Sequence, residues 1–375
     1  MGNFYSTEAA PQLTDEERLQ NLKKAMVQPE EFTKIPAWSN EVDEEMEEKI
    51  AKLPKIELHC HLDGATTVEE LKKVLITDKP ANLAKVLEAF EIFLPVIVGD
   101  LEAIERIAYE LAEDQHSKNT VYFEGRYSPH LLLSADHPEV TPTAVVEAVK
   151  RGFDRAEQEF GIKARSILCC IRGLDKHSPA LILDLATNLK HLGVVGIDVA
   201  GSAHGADEQY EPEVIEAFQE AAKRGIHRTA HAGESGGPKE VLKAIETMQV
   251  QRIGHGYRVM RDPELYRERF VEDHSVHLEA CPYSSVMTGA VPLDWPHHPV
   301  GQWTRDSVNF SISTDDKTCF DNTMQSELEL AHQEIGLDLH QLWICQLNAA
   351  QSCFLEEPEK SKLIELIKKS EPESE

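Results

Sequence analysis

Hydrophobic and polar positions along this chain alternate between two periods. From Ile56 onward, short apolar runs that suit strands are followed by stretches with apolar residues every three or four positions. Strands are expected at 56–59, 120–126, 164–171, 194–200, 227–231, 252–255, 276–280 and 308–313. The runs Ala164–Ile171 and Val194–Ala200 are mostly apolar, and the second is rich in β-branched residues. That composition suits strands covered on both faces, as in a parallel sheet. The helical stretches carry punctuation. Pro212 opens one and Gly225 closes it, with Val214, Ile215, Phe218, Ala221 and Ala222 on one face and Lys223 and Arg224 near its C-terminal end. Thr67-x-x-Glu70 has the form of a capping box. Further helices are expected near Asp15–Met26, Glu41–Lys52, Thr323–Glu334, Asp338–Ala350 and Pro358–Lys369.

Eight strand–helix alternations without an internal boundary predict an α/β fold. The expected form is one (β/α)8 barrel of TIM type, with extra helices and an N-terminal extension. Residues 1–45 read as an acidic leader, partly helical or disordered, with Pro11, Pro29 and Pro36. Residues 46–370 read as a single domain, and 371–375 as a polar tail. No fixed-period repeat interrupts this plan.

Charge narrows the partners. The chain has 375 residues, with 38 Lys plus Arg against 66 Asp plus Glu, a formal net charge of −28. A nucleic-acid partner needs clustered cations and is not expected. The seven cysteines are odd in number and form no Cys-x-x-Cys pair. They suit buried thiols in a reducing, cytoplasmic compartment. Cys169 and Cys170 are adjacent in an apolar strand and should point to opposite faces. No apolar run is long enough to span a bilayer, and the start of the chain lacks a secretion pattern. Met1-Gly2-Asn3-Phe4-Tyr5-Ser6 does match the short N-myristoylation pattern. The motif is permissive, and an unmodified leader is the expectation. One acyl chain at Gly2, followed by acidic residues, would anchor weakly, so no stable membrane association is expected.

Candidate chemistry sits where the strands end. The first strand ends His59-Cys60-His61-Leu62-Asp63-Gly64, the fifth His231-Ala232-Gly233-Glu234, the sixth Gly254-His255-Gly256 and the eighth Ser313-Thr314-Asp315-Asp316. His59 and His61 are two apart on a strand and share a face. Alone, that pair reads equally well as two hydrogen-bonded core histidines. Adding His231 and Asp315 from other strand ends makes three nitrogens and one oxygen, which suits zinc with an open position for water. Glu234, three residues beyond His231, could pass protons to a bound heterocycle, or could cap the next helix. His255 lies between glycines that permit close approach, or is a core histidine. Asp316, adjacent to Asp315, could orient water or a ring nitrogen, or cap a helix. Gly201 ends the fourth strand, where its N–H is available at close range. Glu279-Ala280-Cys281-Pro282 ends the seventh. There is no Gly-rich phosphate loop, no Gly-x-Ser-x-Gly elbow and no zinc motif of the cytidine deaminase kind.

Taken together, these segments resemble the adenosine deaminases of the metal-dependent amidohydrolase superfamily. The resemblance rests on Glu57-Leu58-His59-Cys60-His61-Leu62-Asp63-Gly64, Arg126-Tyr127-Ser128-Pro129-His130, Ala164 to Cys170, Gly225 to Thr229, His231 to Glu234, Arg252 to Tyr257 and Ser313 to Asp316. They occur in family order from about Leu53 to Ile367. The resemblance implies one Zn2+ per chain, held by His59, His61, His231 and Asp315. It implies Glu234 as proton donor to purine N1, His255 as the residue that orients and polarises the water, and Asp316 as the contact to that water and to N7. Gly201 would donate to N3, Asp63 would accept from the ribose 5′-hydroxyl, and His61 would also face the substrate. The implied reaction is attack of water, activated by zinc, on C6 of adenosine or 2′-deoxyadenosine, giving inosine or 2′-deoxyinosine and ammonia, a step of purine salvage.

Departures accompany the match. The leader extends beyond the short cytosolic members, and the stretch between Asp63 and Leu83 is shorter than in vertebrate relatives. Leu83, Val86, Leu87 and Phe90 still offer an apolar helix face like the family's lid. Ser202 and Ala203 follow Gly201 where acids are common, and Gly125 stands where a β-branched residue is usual. The rival substrates are adenine, AMP and N6-methylated nucleotides, whose enzymes resemble His-Ile-Glu-Gly or His-Leu-Asn-Gly where this chain has His61-Leu62-Asp63-Gly64. A carboxylate accepts from a hydroxyl and repels a 5′-phosphate. A sensing protein that kept the fold without the chemistry is the other alternative, and it is disfavoured because no ligand residue and no Glu234 is lost.

Overall fold

The computed structural model describes residues 43–64, 83–173, 176–201 and 210–373. The strands are β1 Lys55–His61, β2 Thr120–Tyr127, β3 Lys163–Ile171, β4 Val194–Ala200, β5 His227–Ala232, β6 Arg252–His255, β7 His277–Ala280 and β8 Phe310–Ile312. They pair in sequence order, each parallel to the next. The ring closes just beyond β8. There Asp315 N–H donates to His59 O and His61 N–H donates to Asp315 O, both at 3.0 Å. Closure therefore places the end of β8 against the His59–His61 face of β1. The architecture is the (β/α)8 barrel of TIM type.

Helices cover the outside: α1 Glu44–Lys52, α2 Leu83–Ile97, α3 Leu101–Ser117, α4 Pro142–Phe160, α5 Ser178–Asn188, α6 Pro212–Lys223 and α7 Pro238–Glu246, with Met324–Leu330, Leu339–Ser352 and Glu359–Lys368 toward the C-terminus. Their ends follow local chemistry. In α4, Thr141 Oγ1 accepts from Ala144 N–H at 3.1 Å, Pro142 occupies the first turn, and Gly161 closes the helix at φ 75°. Between these caps Val145, Val146, Val149, Phe153 and Ala156 turn one apolar face to the sheet. In α6 the buried face is Val214, Ala217, Phe218 and Ala221; Ile215 and Ala222 are only partly covered. The expected helix Thr323–Glu334 is α-helical to Leu330 and continues as a π turn, Ala331–Ile335.

Cys169 and Cys170 point to opposite faces, as the strand period requires. Cys169 faces the pocket at the barrel mouth and Cys170 joins the apolar core under the helices. All seven cysteines are free and buried. The barrel interior is not the usual stack of aliphatic layers. Arg126 of β2 reaches Asp198 of β4 and Glu279 of β7, while Arg252 of β6 reaches Glu279 and Glu124 of β2. β2 is neighbour to neither β6 nor β7, so the Arg126–Glu279 and Arg252–Glu124 pairs cross the inside of the barrel. No described helix is long and apolar enough to cross a membrane. The expected helix near Asp15, the Thr67–Glu70 box, Gly2, Ser202 and Ala203 lie outside the described residues.

Candidate metal centre and active site

Four donors converge at the C-terminal mouth of the barrel. His59 and His61 come from β1, His231 from β5, and Asp315 from the turn after β8. Asp315 Oδ1 lies 3.2 Å from His59 Nε2 and 3.4 Å from His61 Nε2, and His61 Nε2 lies 3.3 Å from His231 Nε2. Donors about 2.0–2.1 Å from a tetrahedral ion sit roughly 3.3 Å from one another. The spacing therefore fits a four-coordinate ion, and three imidazoles with one carboxylate are a donor set zinc accepts. His59 Nε2, buried, has no hydrogen-bond partner of its own. Room for its ring depends on Gly254, where a Cβ would stand 2.8 Å from His59 Cε1.

Buried groups orient three of the four donors. His59 Nδ1 meets Glu279 Oε2 at 2.7 Å, and His231 Nδ1 meets Asp198 Oδ2 at 3.0 Å. Ser284 Oγ donates to Asp315 Oδ2 at 2.6 Å. Carboxylates behind histidines fix the ring and leave the opposite nitrogen for a metal. Burial pushes Asp198 and Glu279 up. The His231 ring and the Arg126 guanidinium outweigh it for Asp198, as Arg126, Arg252 and His59 do for Glu279, and both stay ionised well below the usual carboxylate range. Burial also opposes the charge on Asp315, but the close approach of His59, with His255 and His61 nearby, holds its carboxyl well down. Burial lowers His61 and His231, which keeps them neutral as a metal requires. The sequence reading assigned no role to Asp198, Glu279 or Ser284. The available signal was an acid inside an apolar strand, one in each of β4 and β7.

Glu234, His255 and Asp316 line the pocket beside these donors. His255 Nε2 is 3.6 Å from Glu234 Oε2 and 3.8 Å from Asp315 Oδ2. Burial, then the nearby Asp315 charge, pushes Glu234 up to about 8. Burial, with Asp315, Asp63 and Glu234 close by, pushes Asp316 well above the carboxylate range. Burial holds His255 well below its ordinary value. Asp63 and Gly201 line the same pocket. Asp63 Oδ2 accepts from Ser128 N–H at 3.2 Å, and burial lifts this carboxyl to about 6.

An apolar wall lines the same pocket, with Leu83, Leu87, Phe90 and Leu94 of α2 joined by Leu131. Val86, expected on that face, is buried in the core instead. Three carboxylates in this one pocket each keep a buried oxygen without a hydrogen-bond partner: Asp63 Oδ1, Glu234 Oε1 and Asp316 Oδ1. All the site residues expected from the sequence thus meet in one place.

Known proteins point the same way. A family model for adenosine deaminase matches residues 64–370. The adenosine deaminase of Xenopus laevis is 39% identical, over 85% of this chain and 96% of its own length. Among solved structures, the N6-mAMP deaminase of Arabidopsis is 25% identical with a TM-score of 0.75, covering 86% of this chain and 99% of that one. An amidohydrolase of Burkholderia ambifaria, solved with bound zinc, is 22% identical with a TM-score of 0.72, covering 88% of this chain and 96% of that one.

Proposed function

Because the chain belongs to the adenosine deaminase family, we propose that it hydrolyses adenosine and 2′-deoxyadenosine to inosine and 2′-deoxyinosine with release of ammonia. One observation carries the reading. A four-donor metal cluster shares its pocket with three carboxylates of opposite proton state, each with a free buried oxygen. Glu234 and Asp316 are shifted toward the protonated form, so they can donate, which is what the ring nitrogens of a purine accept. Asp63, at about 6, is mainly ionised at neutral pH and can accept from a sugar hydroxyl.

His59, His61, His231 and Asp315 would hold the zinc. When bound, zinc lowers the pKa of water toward neutrality. The remaining work falls to the chain. Glu234 donates a proton to N1, so that the ring accepts electron density as water adds to C6. His255, kept neutral by burial, orients that water and takes up its proton. Asp316 donates to N7, and Gly201 N–H, at the end of β4, to N3. His255 then passes that proton to the C6 amino group, which leaves as ammonia, and the C6 hydroxyl proton returns to Glu234 as the carbonyl forms. Asp63 accepts from the 5′-hydroxyl and repels a 5′-phosphate.

The test is the loss of absorbance at the adenosine band, with and without a chelator, for adenosine, deoxyadenosine, AMP, N6-methyl-AMP and adenine. Both nucleosides should exceed AMP in kcat/KM by at least about a hundredfold, the scale set by an unpaired buried charge against a dianion. Equal turnover of AMP or N6-methyl-AMP would move the protein to the nucleotide branch. Full activity after complete metal removal would reject the zinc.

A further inference from the structure

Asp315 and Asp316 sit on a turn that is costly to hold. Asp315 adopts φ 69°, a left-handed conformation a non-glycine residue keeps only when its surroundings impose it. Asp315 has further anchors in Ser284 Oγ and the histidines. Asp316 has fewer, and its Oδ1 has no partner.

The turn is gripped from outside the pocket, at both ends, by the last turns of α3. On the N-terminal side, Glu57 Oε1 accepts from Thr314 N–H at 2.7 Å and also from Thr314 Oγ1. Glu57 Oε2 is in turn held by Gln115 Nε2, and Gln115 Oε1 accepts from Thr120 Oγ1 at 2.9 Å. On the C-terminal side, the Lys317 ammonium pairs with Asp114 of α3. The Lys317 side chain is only 9% exposed, so its charge is balanced by Asp114 and nearby Glu57 rather than by water. Asp114 and Gln115 are consecutive residues of one helix, and together they bracket the catalytic turn.

We propose that Lys317 is a positioning residue for Asp316. Its ion pair with Asp114 fixes the C-terminal end of the Thr314–Lys317 turn and thereby the direction of the Asp316 carboxyl. This rests on the function proposed above, because Asp316 is given its contact to the purine there. Asp315 is held independently, so loss of the pair separates two quantities that a general loss of structure would move together. Zinc content stays full while kcat falls.

The experiment uses the full-length, zinc-loaded protein. Lys317→Met keeps the bulk and removes the charge, and Asp114→Asn removes the charge from the exposed side of the pair, in case the first variant folds poorly. For either, kcat per bound zinc should fall about tenfold or more, within the range set by small displacements of reacting groups. KM should change little, and Lys317→Arg should restore most of the rate. In an Asp316→Asn background, Lys317→Met should cost much less than it does alone. Unchanged kcat per zinc in both variants overturns the proposal, and so does a fully additive double variant. A wild-type protein that turns over none of the purines tested fails the functional reading instead, and that result is separate because it precedes any variant.

Discussion

Glu234 decides whether this mouth of a barrel is a deaminase or merely a metal site. Its carboxyl is buried, and burial with the neighbouring Asp315 raises it to about 8. Below that pH it holds the proton that the proposed donation to N1 requires, and above it the proton is gone. Activity should therefore fall as pH rises through about 8. Glu234→Gln keeps the size but cannot relay a proton. It should lower kcat at least ~10²-fold, abolish that alkaline limb and leave zinc content unchanged. A variant that turns over adenosine near the wild-type rate would show that another group protonates N1. At this scale the sequence was informative wherever a residue's type and strand-end position sufficed. His59, His61, His231 and Asp315 were legible because nitrogen and oxygen donors ended different strands. Asp198 and Glu279 were not, because an acid within an apolar strand reveals its partner only once the barrel has closed.

Strands β1, β2, β4, β5 and β7 are coupled through one side chain. Arg126 Nη1 donates to Asp198 Oδ2 at 2.8 Å and Nη2 to Glu279 Oε2 at 2.7 Å, and these two carboxylates orient His231 and His59. A single guanidinium thus contacts both orienting groups and helps to keep each ionised. Arg126→Met would leave two buried carboxylates short of a cation. It should destabilise the fold by roughly 3–5 kcal/mol, the usual result of removing one partner of a buried pair. It should also weaken zinc binding about 10–100-fold, as loss of orienting groups does. Denaturant unfolding and chelator competition read the two effects separately, and wild-type zinc affinity would remove Arg126 from the metal's support. The elements themselves were well marked. Every expected strand is present, since β-branched and apolar runs bounded by Gly and polar residues specify them locally. What local pattern did not give was the polar interior that Arg126 and Arg252 bind together, and the π turn at Ala331–Ile335, which breaks no hydrophobic period and so leaves no mark in one.

Across the whole molecule, acid should act through buried neutral histidines as well as through charge. His277 and His298 are each 1% exposed and packed well away from water. The His277 ring lies 2.8 Å from Asn309 Oδ1 through Nδ1 and 2.8 Å from Ser311 Oγ through Nε2, one nitrogen donating and the other accepting. His298 Nδ1 accepts from Val300 N–H at 3.2 Å, so its proton sits on Nε2, facing Ser285 Oγ at 2.9 Å. That backbone N–H leaves no place for a second proton. Burial lowers His277 to about 4 and His298 to about 3. In the unfolded chain both titrate near 6.5. Between pH 6.5 and 4 the unfolded state therefore binds protons that the folded state refuses, and stability falls as pH falls, by up to about 1.4 kcal/mol per pH unit for each histidine. A net charge of −28 pulls the other way, because acid relieves self-repulsion on the way to a pI near 5.0. That contribution is spread over the surface and is screened by salt, whereas the buried histidines are not. At moderate salt the histidines should win. Urea unfolding between pH 6.5 and 4 should show stability falling, and the His277→Gln, His298→Asn double variant should show a slope shallower by up to two protons. An unchanged slope in the double variant would mean that carboxylates alone set the acid limit of this barrel.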